Sequence, residues 1–191
     1  MKDFRHANLG QDFEDLLRFA NEQYKRDGVA VIQKIPTEFI PLRDGRGRVC
    51  NVKVVGKSTV DFIGRVRDVP VAIEAKKTSS DNIRFDEVKD HQADFLDIFT
   101  AGERSGLGYV VISYRLNRFF LVPWVFWKAG RDAWRDAQAR GKRKAEIITI
   151  EHNGQVWSTP GRASVKVEEL LSDWEVKTGG RVVLDYLGIY K

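Results

Sequence analysis

Cysteine is almost absent from this sequence. Cys50 is the only one among 191 residues, which excludes an intrachain disulfide and a thiolate metal cluster and fits a reducing compartment. Histidine is scarce too: His6, His91 and His152 lack the close spacing of zinc ligands. No serine nucleophile motif is present, so hydrolysis by a triad has no support. Long apolar runs are missing as well. The longest, residues 119–127, is too short to span a bilayer, and the opening Met-Lys-Asp-Phe-Arg-His has no apolar signal core. These absences lead us to expect a soluble, cytoplasmic protein with no membrane partner.

What the chain does have is charge. Lys and Arg total 32 against 27 Asp and Glu, a net +5, which favours a polyanionic partner. The length suits one domain with a real core, residues 1–191, and scarcely two. No repeat or low-complexity run is visible.

Asn8 with Gln11 resembles a capping box, and Phe13, Leu16, Leu17, Ala20 and Tyr24 then recur at helical spacing up to Gly28. Glu14, at the border of that stripe, is either an accessory site residue or an ordinary surface carboxylate. Residues 29–35 read as a strand ended by Pro36. Residues 39–57 follow as a short basic insertion, flexible or hairpin-like, with Arg43, Arg46, Arg48, Lys53 and Lys57 beside Gly45 and Gly47. Such a segment grips a nucleic-acid backbone or is simply solvated.

Chemistry concentrates just downstream. Residues 59–63 and 69–75 are rich in β-branched and apolar side chains and flank the polar connection 64–68, so they read as a hairpin. Paired strands bring Asp61 beside Glu74. The period of two puts Glu74 and Lys76 on one face and Ala75 on the other. Mg²⁺ takes oxygen ligands at about 2.0–2.1 Å and keeps several waters, so Asp61, Glu74 and the Ala75 backbone carbonyl make a half-shell. Lys76 then orients or deprotonates the attacking water, and the metal stabilises charge on the phosphate. The bland alternative is a solvent-facing Glu–Lys pair. Against it, Val71, Ala72, Ile73 and Ala75 make the strand apolar on both faces, where unpaired charge is costly. Thr59 is an accessory candidate, and Arg65 and Lys77 join the basic set that would meet DNA.

After a polar linker, Val88, Gln92, Phe95, Leu96 and Phe99 mark a helix. Gln92 on that face either caps a neighbouring backbone or points at metal waters or phosphate. Residues 109–114 and 118–122 add two strands, for a mixed α/β arrangement with a sheet of about five strands flanked by helices. The aromatic run from Trp124 is expected in the core. Residues 128–144 form a second basic stretch, tracking phosphates or lying on a solvated helix. Residues 145–191 read as a C-terminal appendage of strands and a short helix over 167–174. Gly56-Lys-Ser-Thr59 mimics a phosphate-binding loop. The earlier glycine it needs would fall at Asn51, and a strand follows rather than a helix, so an ATP site is rejected.

Several motifs occur together: Gly10-x-x-Phe13-Glu14, Asn21-x-x-Tyr24, Ile35-Pro36-Thr37, Ser58-Thr59-Val60-Asp61-Phe62-x-Gly64, Ile73-Glu74-Ala75-Lys76-x-Thr78, and His91-Gln92 followed by Gly108 and Ile112-Ser113. Over most of the chain they resemble the RecU-type Holliday junction resolvases, a family with a restriction-endonuclease-like fold. The resemblance implies a homodimeric, Mg²⁺- or Mn²⁺-dependent endonuclease that nicks opposing strands of four-way DNA and works alongside recombination proteins. It implies metal ligation by Asp61 and Glu74, a catalytic Lys76, and Gln92 on a helix near the site. Residues 39–57 stand where the family has a protruding stalk, here short, and Val60 stands where some members carry threonine. Two other readings remain: a DNA-binding accessory protein without turnover, and a nuclease for other branched or duplex DNA.

Overall fold

The computed structural model describes residues 9–36, 39–54, 59–103, 105–178 and 184–190. His6, Asn8 and Lys57 therefore lie outside the described residues. In chain order the elements begin with α1 (Leu9–Arg26), β1 (Ala30–Lys34), β2 (Phe39–Arg43), β3 (Val49–Val54), β4 (Phe62–Val66) and β5 (Val69–Thr78). There follow β6 (Asn82–Arg84), α2 (Asp90–Phe99), β7 (Leu107–Tyr114), β8 (Arg118–Pro123), α3 (Trp124–Ala139), β9 (Thr149–His152), β10 (Gln155–Ser158) and β11 (Ser164–Lys166).

Phe13, Leu17, Ala20 and Tyr24, on one stripe of α1, are all buried. The helix stops where Gly28 takes a left-handed φ of 69° and Val29 N–H closes the last turn on the Tyr24 carbonyl at 3.0 Å. The chain then enters the five-stranded sheet, ordered β1-β4-β5-β7-β8, antiparallel except for the parallel β5–β7 pair. It is the mixed sheet flanked by helices that the sequence led us to expect. Gly64 on β4 is required by close approach, because a Cβ there would sit 2.0 Å from the Val31 carbonyl oxygen of β1.

β5 is the central strand and divides two cores. Val71 and Ile73 pack into the cluster under α1, with Phe13, Leu17 and Tyr24. Ala72 packs into the other, with Leu96 of α2 and Trp124, Phe126 and Trp127 of α3. Fully burying a Val or Ile side chain contributes about 1.5–3 kcal/mol. Val71, Ile73, Val110, Val111 and Ile112 are each at most 1% exposed, so this strand pair can carry the several kcal/mol that burying one carboxylate costs.

Some sequence expectations need correction. The β4–β5 connection is only Arg67-Asp68, not residues 64–68. Arg67 takes φ 51°, which closes a tight turn and leaves Gly64 and Arg65 in the strand. The helix expected from Val88 starts at Asp90, because Val88 is extended with ψ 112°. The short helix expected over 167–174 is two 3₁₀ turns, Val167–Glu169 and Ser172–Trp174, separated by extended Leu170 and Leu171 with ψ 141° and 140°. Neither β6, which pairs with β11, nor the 3₁₀ turn at Phe85–Glu87 was anticipated.

β2 and β3 form a ribbon whose ladder, among the described residues, is only with each other. Its tip is shaped by Asp44, whose side chain accepts the N–H groups of Arg46 and Arg48 at 2.9 Å each. Further along, Trp157, Val165, Leu170 and Trp174 enter the α2/α3 core, and Leu184 and Tyr186 the α1 core. Tyr24 Oη donates to Asp185 at 2.8 Å, Tyr186 pairs with Asn21, and Tyr190 stacks on Tyr24 with centroids 5.8 Å apart. No helix among the described residues is long and apolar enough to cross a membrane.

Candidate active site

The β4–β5 ladder ends with Phe62 opposite Ile73, so Asp61 stands just past the paired strand, beside Glu74. Asp61 takes over where the ladder stops: its Oδ2 accepts the Ala75 N–H at 2.8 Å. In an extended strand a residue's N–H and C=O project to the same side, so the Ala75 carbonyl is directed to the β4 side of β5, the side of Asp61. Alternation along β5 carries Glu74 and Lys76 to the α2 side with Ala72, while Ala75 packs toward the α1 core.

Glu74 is 1% exposed. Its Oε1 accepts from Lys76 Nζ at 2.5 Å and Gln92 Nε2 at 2.7 Å. Its Oε2 is buried and takes no N–H or hydroxyl donor, and the Glu74 and Asp61 carboxyls lie in hydrogen-bond contact with each other. Burial, then the Asp61 charge, raises the Glu74 carboxyl from 4.5 to about 7, against the pull of Lys76. Burial also raises Asp61, opposed by the Ala75 N–H and by Lys76. Two acids desolvated side by side, one with a spare oxygen, form a donor set that suits a hard divalent cation. Among the described residues no third acidic, His or Cys side chain completes a metal-holding group. Glu14 adds to the negative field at Asp61, but its side chain is ion-paired with Lys34.

Gln92 does two things. Its Oε1 accepts the Lys89 backbone N–H at 2.9 Å, capping the start of α2, while its amide nitrogen holds Glu74. Lys76 Nζ reaches the same Gln92 oxygen at 3.4 Å. The backbone cap and the approach to the site are thus both present in one side chain. Lys34 and Lys89 belong to this neighbourhood and were missed in the sequence; the position of Lys89, three residues before Gln92, was the available signal.

The basic candidates are spread out. Arg43, Arg46, Arg48 and Lys53 are exposed on the ribbon, where Arg43 donates to the Gly47 carbonyl at 2.8 Å and Arg48 pairs with Asp44 at 3.0 Å. Thr59 is exposed two residues before Asp61. Arg65 lies further along β4 beside Asp68, at 3.5 Å, and Lys77 alternates to the face opposite Lys76. The stretch 128–144 is helical as far as Ala139, and its helical cations pair with carboxylates, though only Arg131 among them is buried. Lys128 pairs with Asp97 at 2.6 Å, and Arg131, 6% exposed in its side chain, pairs with Asp90 at 2.9 Å.

A model of the Recombination protein U family matches residues 8–173 of this chain. A protein named Holliday junction resolvase RecU from Mycoplasmopsis pulmonis is 28% identical over 116 residues, covering 60% of this chain and 69% of that protein. One of the same name from Lactobacillus delbrueckii subsp. bulgaricus is 25% identical over 160 residues, covering 80% of this chain and 74% of its own length. Among solved structures, the Holliday junction resolvase Hjc of Archaeoglobus fulgidus overlaps 81% of this chain and 93% of its own. At 10% identity and a TM-score of 0.36, that overlap is too loose to carry an argument. The matched span contains Asp61, Glu74, Lys76 and Gln92 together with the whole five-stranded sheet, and the chain belongs to the Recombination protein U family.

Proposed function

We propose that this chain is a divalent-metal-dependent endonuclease that resolves four-way DNA junctions by paired nicks, acting as a homodimer in the cytoplasm. The observation that carries the reading is Glu74 Oε2, a carboxylate oxygen buried without a donor in a site shared with Asp61 and Lys76. The names of the relatives supply the substrate.

Asp61, Glu74 and the Ala75 carbonyl would hold the ion, Mg²⁺ or Mn²⁺. When bound, such an ion supplies an acidified water and stabilises charge on the phosphate. The protein's own part is positioning. Gln92 and Lys76 both engage Glu74 Oε1, which fixes the carboxylate and turns its other oxygen free. The Ala75 N–H keeps Asp61 in place from the strand itself, so the pair is set by backbone register. The Lys76 side chain remains 17% exposed, and as the cation of the pair it faces an incoming phosphodiester, where it stabilises developing negative charge or orients the attacking water. Two nicks need two such sites, and a two-fold dimer matches the near two-fold symmetry of a four-way junction.

The test is incubation of end-labelled four-way junction and matching linear duplex with Mg²⁺ or EDTA, beside Lys76→Ala. Symmetric nicks on the junction that need both metal and Lys76 are expected. Tight binding with no nicks under any divalent metal would overturn the enzymatic reading in favour of an accessory role.

A further inference from the structure

Tracing each cation of the α3 region to its partner separates two kinds. Within the helix Lys128 pairs with Asp97 and with Asp132 at 3.1 Å and Arg131 and Arg135 both pair with Asp90, while at its C-cap Arg140 pairs with Asp136 at 2.9 Å. Beyond it Gly141 turns the chain with φ 65°, and Lys142, Arg143 and Lys144 follow. All three are exposed, and none has a carboxylate within ion-pair distance among the described residues. Exposed cations close by in the fold are matched: Arg84 with Asp86, Arg162 with Glu169, Lys166 with Glu168. Three consecutive like charges left unmatched repel one another.

Their place in the fold matters as much as their charge. α3 runs antiparallel to α2: Trp124 Nε1 donates to Asp97 near the α2 C-terminus, while Arg131 reaches Asp90 at its N-terminus. The N-terminal turn of α2 is where Gln92 meets Glu74. At 1.5 Å per residue, Arg140 lies about 7.5 Å further along the helix than Arg135, the partner of Asp90. The basic turn thus follows the end of α3 that lies by the start of α2, the turn from which Gln92 reaches Glu74 and Lys76. Its two ends are anchored, Lys142 N–H to the Ala137 carbonyl at 2.8 Å and Ala145 N–H to the Gly161 carbonyl at 2.9 Å. The ribbon, with Arg46 and Lys53, follows β1, the edge strand at the opposite end of the sheet order from β8, and α3 packs on β7 and β8.

We propose that Lys142, Arg143 and Lys144 form a second DNA contact, gripping the phosphate backbone of the duplex arm that leaves the metal site past the N-terminus of α2. The inference rests on the nuclease reading of that site. The contact is sequence-independent: it binds phosphates, releases counterions and fixes the arm's direction. With the ribbon on one side and this turn on the other, two arms of a branched substrate have separate holds.

The test measures binding to a four-way junction in EDTA over a range of salt, where no cleavage occurs. In the variant carrying Lys142→Gln, Arg143→Gln and Lys144→Gln, the slope of log affinity against log salt should fall by about 2–3, at roughly 0.9 for each phosphate no longer neutralised. Arg140→Gln, whose side chain is already paired, should leave the slope unchanged, and the triple variant should melt like the wild type. An unchanged slope in the triple variant overturns the proposal, as does an equal drop from Arg140→Gln. Cleavage by the wild type in Mg²⁺ is scored separately. If it fails while the slope falls, the DNA contact stands and the nuclease reading does not.

Discussion

Along the seam between α2 and α3, Lys128, Arg131 and Arg135 meet Asp90, Asp97 and Asp132, and nearly every charge finds its opposite at the rim of the core. At the sheet centre the proportions reverse. Glu74 and Asp61 share one lysine, and with both acids ionised one buried carboxylate oxygen has no donor. The same residue types serve two ends. Asp90 keeps 69% of its side chain in solvent while holding a buried arginine, which makes a cheap tether. Glu74 is desolvated and under-partnered, which stores electrostatic free energy that only a further positive charge can release.

That contrast can be broken most sharply at Glu74. Glu74→Gln and Asp61→Asn should each lower junction cleavage by about 10³-fold or more while junction binding in EDTA persists. Retained cleavage in both would remove the acidic pair from the chemistry.

The next largest effect is on the metal-free protein. The Glu74 carboxyl lies at about 7 when folded and near 4.5 otherwise, so its contribution to stability is complete below about pH 4.5 and is lost as pH rises through 7. Glu74→Gln removes that dependence, so at pH 8 in EDTA the variant should be the more stable by on the order of 3 kcal/mol, with little difference near pH 4.5. Urea midpoints at the two pH values decide it, and parallel pH slopes for variant and wild type would count against a strained Glu74. On the proposed role of Glu74 as a metal ligand the same proton must leave for the ion to bind, so the Mg²⁺ concentration needed for half-maximal cutting should fall as pH climbs through 7.

At the seam, Arg131→Ala should cost about 2 kcal/mol, discounted for the exposure of Asp90, and should leave the folded enzyme active. A loss of cleavage without a loss of stability would show that seam and site are not separate. Smallest of all, Arg140→Ala at the exposed C-cap of α3 should shift the midpoint by less than about 0.5 kcal/mol.

Much of this was legible in the sequence because the relevant signals are local. The apolar spacing of Phe13, Leu17, Ala20 and Tyr24 defines α1. The two-residue period of Glu74 and Lys76 within an aliphatic run gives the strand, the shared face and the buried setting. The five strands of the sheet were visible for the same reason. What escaped depends on partners distant in sequence. β6 and β11 are three residues each and pair across some eighty residues, so neither carries a pattern of its own. The fate of the 128–144 cations could not be read from their charge, since it is set by the aspartates of another helix. Gln92 was placed correctly on its helix, yet its simultaneous hold on Lys89 and Glu74 emerges only when the α2 N-terminus docks on β5.

The grip of residues 184–190 on α1 bears on when the protein can fold. Tyr24 and Asp185 are separated by 161 residues, and Leu184 and Tyr186 fill the same core as Phe13 and Leu17. At about 5–20 residues per second, synthesis leaves α1 waiting roughly ten to thirty seconds for its last packing partners. The α2/α3 core draws on residues up to Trp174, but the α1 core can be completed only after Tyr186 clears the ribosome. α1 is therefore among the last elements sealed, and until then its apolar stripe is a natural client for a chaperone.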